Sequence, residues 1–127
     1  MADGTGKIKL MMAGFKNTNG TVKTVLVNTK EDFLKEAGQE GGTAATENIS
    51  ADLKAGHTFE NVAYGTYAIK VYHDANGNNK LDKNMLGIPK EAYGFSNNAR
   101  GKMGLPAYES VTFEFNSPEQ VIQIDVK

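Results

Sequence analysis

Hydrophobic and polar residues alternate with a period of two through most of the chain, the pattern of strands that bury one face. Near the N-terminus Ile8, Leu10 and Met12 alternate with Lys9, Met11 and Ala13. Beyond Asn19-Gly20, Val25 and Val27 alternate with Lys23 within a run from Thr21 to Val27. An Asn-Gly between two alternating runs predicts a β-hairpin, because both residues tolerate the positive φ of a tight turn. The pattern then changes: Thr29 can cap a short helix over 30–37, with Asp32 three residues on, Phe33 and Leu34 as its apolar side and Gly38 at its exit. The stretch from Gly38 to Thr46 (GQEGGTAAT) reads as a flexible loop.

Further on, Ile49, Ala51 and Leu53 alternate, and Phe59 and Val62 precede a Gly65 turn into the strongest strand, Thr66 to His73. There Tyr67, Ile69, Val71 and His73 share one face, and Thr66, Ala68, Lys70 and Tyr72 the other. Two more runs, through Val111, Phe113 and Phe115 and through Ile122, Ile124 and Val126, follow the same period. The prediction is an all-β fold: a single antiparallel β-sandwich of about seven strands, with one short helix and a long ordered loop over 74–100.

The length of 127 residues fits one domain. With 14 Lys+Arg against 15 Asp+Glu, the chain lacks the excess of positive charge that a general nucleic-acid binder needs. Having no Cys, it holds no disulfide, thiolate zinc site or cysteine nucleophile. No apolar run approaches the roughly 18 residues of a membrane helix, so no membrane insertion is expected. The lead MADGTGK lacks the apolar core of a signal peptide. Its small, polar residues suit a mature exported protein after signal removal as well as a native cytosolic start.

Directly after the strongest strand comes Asp74-Ala75-Asn76-Gly77-Asn78-Asn79-Lys80-Leu81-Asp82-Lys83-Asn84. Oxygen side chains at Asp74, Asn76, Asn78 and Asp82, with the Lys80 carbonyl between, have the spacing by which an EF-hand-type loop wraps calcium. Asn79 stands where glycine is usual, and Leu81 where an apolar anchor is usual. The loop departs from the pattern at its end, where Met85 replaces the bidentate Glu, so its affinity is expected to be weak; Asn84 or Glu91 would have to supply any further oxygen. The other reading is an ion-free turn, since Asp and Asn side chains bond their own backbone and accept left-handed φ.

His73, Asp74 and Ser96 invite a hydrolase reading, with the Asn97 and Asn98 amides as oxyanion donors. Neighbouring strand residues point to opposite faces, however, so Asp74 is poorly placed to orient His73, which suits the end of a core face better. His57, after Gly56, reads as an exposed loop residue. In the segment from Gly87 to Asn98, two aromatics and paired amides fit either a loop pinned to the sandwich or a binding surface made by Tyr93, Phe95, Ser96, Asn97 and Asn98.

From Phe59 to Ala99 the chain reads FENVAYGTYAIKVYHDANGNNKLDKNMLGIPKEAYGFSNNA. This stretch closely resembles the signature of a bacterial family of small exported proteins classed only as a domain of unknown function, GxYAIxxxHDxNxNxxLDxNxxGxPxExYGFSNNA. The resemblance implies a periplasmic or secreted protein with a prealbumin-like or immunoglobulin-like sandwich. The entry Phe59-x-x-Val62-x-x-Gly65-Thr66-Tyr67 is similar to that of transthyretin-like and carboxypeptidase-regulatory-like modules, whose usual roles are binding, spacing or stabilising; the family brings no established activity. The expectation is an extracytoplasmic binding or structural module, not an enzyme, whose calcium loop orders a segment facing an unidentified protein or small ligand. A hydrolase using His73 and Ser96 and a ligand-free structural module are the alternatives.

Overall fold

The computed structural model describes residues 4–14, 20–35, 43–48, 55–74, 93–99 and 106–126. Eight strands run through these residues: β1 (Thr5–Ala13), β2 (Thr21–Val27), β3 (Thr43–Asn48), β4 (Ala55–Ala63), β5 (Gly65–Asp74), β6 (Tyr93–Phe95), β7 (Phe113–Phe115) and β8 (Glu119–Asp125). Two short helices, α1 (Lys30–Leu34) and α2 (Tyr108–Val111), and a 3₁₀ turn, Ser96–Asn98, complete them. One sheet has the order β4-β1-β8 and the other β3-β2-β5-β6, with β7 also on β5. The fold is therefore all-β and sandwich-like.

The period-two pattern decides how β1 sits: Ile8, Leu10 and Met12 are buried, whereas Lys7, Lys9 and Met11 are exposed. These inward side chains meet Phe59 and Val62 of β4, Val22 and Leu26 of β2, Ile69 and Val71 of β5, Phe115, Ile124 and Val126 in the principal core. Phe59 and Val62 are three residues apart, which strict alternation would put on opposite faces. A register shift opposite Gly6 and Ile8, with Asn61 at φ 56°, inserts one extra residue in β4 and returns both side chains to the core.

β5 differs from β1 because its second face is covered as well. Val25, Val27, Phe33, Ala68, Phe95 and Val111 form a second core there, with Tyr93, Ala99 and Tyr108 packed on it. From Ala68 to Asp74 every residue is buried.

Several expectations are corrected. β1 and β2 do not pair as a hairpin: β1 lies between β4 and β8, and β2 between β3 and β5. A chain reversal fixes direction only, and each of these strands completes a different sheet. The sandwich is not purely antiparallel, since β1 and β8 run parallel in register from Lys7↔Glu119 to Ala13↔Asp125. β3 falls at the end of the stretch read as a loop: Thr-Ala-Ala-Thr-Glu-Asn has no apolar alternation, and its place comes from main-chain pairing with β2. The strand expected through Ile49 and Leu53 lies outside the described residues. Part of the expected long loop is strand β6, and Val111, read as the start of a strand, ends helix α2 instead.

The sheets touch closely where β6 crosses β8. A Cβ on Gly94 would stand 2.6 Å from both the Asp125 carbonyl oxygen and Ile124 Cγ2. Gly94→Ala is expected to destabilise the protein by about 1–3 kcal/mol through overpacking, measured by urea unfolding. The Thr24 hydroxyl is buried on the principal-core side of β2 without a hydrogen-bond partner. Thr24→Val keeps the shape and removes that orphan, and in the same assay it should raise stability by about 1 kcal/mol.

Candidate functional site

The end of β5 carries the chemistry that the sequence singles out. Tyr72, His73 and Asp74 are buried, Asp74 completely. His73 lies opposite Val22 on the face of Ile69 and Val71, and Asp74 lies opposite Thr21 on the other face, with Lys70 and Tyr72. The strand thus hands the Asp-Asn segment a carboxylate held on rigid, two-sided packing. The other candidate ligands, Asn76, Asn78, Lys80 and Asp82, lie outside the described residues. Among the described residues no group of three or more His, Asp or Glu side chains converges as a metal site.

The segment Tyr93 to Ala99 is built as a clasp. β6 pairs with β5 from Tyr72↔Tyr93 to Lys70↔Phe95, and β7 takes the same edge from Tyr67↔Phe113 to Gly65↔Phe115. Between them the edge of β5 has no strand partner. Ser96 fills the gap: its hydroxyl accepts the Ile69 N–H at 3.0 Å and donates to the Val111 carbonyl. Asn97 follows with φ 64° and Asn98 with φ 52°, left-handed conformations that asparagine tolerates. Asn97 Nδ2 donates to the Thr112 carbonyl at 2.8 Å and the Ser110 carbonyl at 3.2 Å, while Asn98 Oδ1 accepts the Asp125 N–H at 2.9 Å. Three consecutive side chains therefore tie β5, the α2–β7 link and β8 together.

This geometry places the candidate surface residues in two groups. Phe95 and Ser96 are buried, so neither is a surface group, whereas Tyr93 is half-buried and Asn97 and Asn98 are exposed at the clasp. Ser96 and His73 are not brought together. Ser96 lies beside Ile69, four residues along β5 from His73, about 13 Å at the strand rise of roughly 3.3 Å per residue. His57 is not a loop residue either: it sits half-buried in β4 with its ring 4.7 Å from that of Phe59.

The residue that sequence reasoning missed is Lys70, 6% exposed within an otherwise apolar run. Its ammonium donates to the carbonyls of Phe33 at 3.1 Å and Lys35 at 2.9 Å, and lies 5.7 Å from the centre of the Phe33 ring. It closes the C-terminal end of α1, where backbone carbonyls have no helical partners. Thr29 closes the other end, its hydroxyl accepting the Asp32 N–H at 3.1 Å, as its position predicts. Phe33 is thereby seated between Tyr108 (5.6 Å) and Phe95 (5.8 Å), and Phe95 meets Tyr93 (5.6 Å). The one sequence signal was the lysine itself, between Ala68 and Tyr72 on one strand face.

The model of DUF2141, a family of uncharacterised proteins conserved in bacteria, matches residues 11–123. The chain belongs to DUF2141. The matched span takes in β5, the Asp-Asn segment and the clasp, so these are features of a DUF2141 chain and not appendages to one. No curated protein and no solved structure matches.

Ser96→Ala would leave the Ile69 N–H and the Val111 carbonyl unpaired in the interior. A loss of about 1–3 kcal/mol is expected, read from the urea midpoint.

Proposed function

We propose that the protein is a non-enzymatic, extracytoplasmic binding or structural module whose segment from Asp74 to Asp82 takes up calcium and orders the chain leading to the clasp. The observation that carries this reading is the complete burial of Asp74 as the last residue of β5. Asp74 stands at the first ligand position of an EF-hand-type loop, and the strand that precedes the loop holds it in place. In this reading Asp74 and Asp82 supply charge, Asn76 and Asn78 neutral oxygens and Lys80 a carbonyl. Binding is weak, because Met85 stands where a bidentate carboxylate would complete the shell. The non-enzymatic character is supported by Ser96, whose hydroxyl is engaged on both sides and remote from His73 along β5. The two-sheet, sandwich-like arrangement suits the prealbumin-like relationship and with it a binding or spacing role.

The test is thermal unfolding in EDTA and then in millimolar calcium or magnesium, with Asp82→Asn and Asn78→Ala beside the parent. These variants spare the buried Asp74 and so avoid confusing ion loss with a disrupted strand. Calcium at about 100 times its dissociation constant should stabilise the parent by roughly 2.7 kcal/mol, magnesium less, and the variants should lose the effect. A parent midpoint indifferent to calcium overturns the reading.

A further inference from the structure

At the opposite end of β5 the two sheets leave a groove of about 490 Å³ between β4 on one side and the ends of β2 and β5, the start of β3 and helix α1 on the other. At its base Leu26, Phe59 and Val62 are buried, and the half-buried Tyr67 beside them offers the more open apolar surface. The Tyr67 hydroxyl donates to the Ala63 carbonyl at 2.7 Å, and burial pushes its pKa up, so the phenol stays neutral and its ring is held as a fixed wall.

Two carboxylates stand at the rim, with the imidazole of His57 of β4 also in the lining. Asp32 of α1 and Glu60 of β4 supply carboxylates, and no lysine or arginine stands among the described lining residues. Asp32 meets Lys35 at 3.4 Å, but that pair is partly exposed and holds its carboxylate only weakly. The bulge at Asn61 gives the groove its shape. Because one extra residue is inserted, Phe59 and Val62 both face inward while Glu60 and Asn61 are both exposed between them. Carboxylates beside the Tyr67 side chain complement a ligand with a positive end and a short hydrocarbon body, since charge steers the cation. The volume is that of a small-molecule site.

We propose that this groove binds a small organic amine, its ammonium between Asp32 and Glu60 and its apolar body against Tyr67. The site is independent of the calcium reading: Tyr67 and Asp74 are seven residues apart on β5, about 23 Å of strand.

The test is a titration of the full chain, followed by backbone amide NMR signals, with phenethylamine as probe and phenethyl alcohol and hydrocinnamate as its neutral and anionic counterparts. The amine should move the signals of Thr58 to Ala63 and Tyr67 and bind at least about fivefold more tightly than the alcohol, with hydrocinnamate weakest. Asp32→Asn combined with Glu60→Gln should weaken the amine about fivefold and leave the alcohol unchanged. Both substitutions are at the rim, and an unchanged unfolding midpoint will show that the fold is intact. Equal binding of amine and alcohol, shifts that map elsewhere, or amine binding indifferent to the double variant would each overturn the proposal.

Discussion

A strand buried on both faces has to pair its backbone groups within the protein, and β5 is such a strand from Ala68 onward. Each N–H and C=O must find a partner within the protein, or the strand carries an unsatisfied polar group in its most buried part. β2 pairs with one edge from Ala68 to Asp74. The other edge is divided between two three-residue strands, β6 and β7, which come from distant parts of the chain and leave Ile69 between them. The Ser96 hydroxyl supplies the missing acceptor and reaches on to Val111, just before β7 begins. One side chain continues a hydrogen-bond ladder past the end of a strand, and the residues after it carry the tie to α2 and β8.

The second core follows from the same constraint. Lys70 points away from the principal core into a layer of aromatic rings, where an ammonium needs acceptors. The carbonyl end of α1 needs donors, and the two deficits cancel. A five-residue helix has little stability of its own, so α1 holds its place through the Thr29 cap, the Lys70 closure and the burial of Phe33. The groove beside α1 shares these supports, because Asp32 stands in the same short helix that Lys70 closes.

The sequence revealed what one strand or one helix turn can show by itself. The alternation at Ile8, Leu10 and Met12, the two faces of β5 and the cap at Thr29 are all local patterns, and each is present as expected. What it could not show depended on distant partners. β3 has no apolar alternation and is specified by the main chain of β2. Ser96, Asn97 and Asn98 read equally well as a nucleophile, amide donors or a pinned loop, because their partners at Ile69, Thr112 and Asp125 are separated from them by 27, 15 and 27 residues. His57 looked exposed because Gly56 suggested a turn, whereas β4 already begins at Ala55. The spacing of three between Phe59 and Val62 was a visible irregularity. Its meaning, a bulge that shapes one wall of a groove, required the register of β1.

The parallel pairing of β1 with β8 sets the order in which this chain can close. Lys7 pairs with Glu119 at a sequence separation of 112, so the three-stranded sheet is complete only when nearly the whole chain is present. Closing a loop of that length costs on the order of 4 kcal/mol in chain entropy before any contact rewards it. The meeting of β2 with β5 spans a shorter separation and can form without β8. Until that last strand is in place, the inward side chains of β1 lack part of their cover. Distant pairing of this kind slows folding, because its loop entropy is spent before the contacts form.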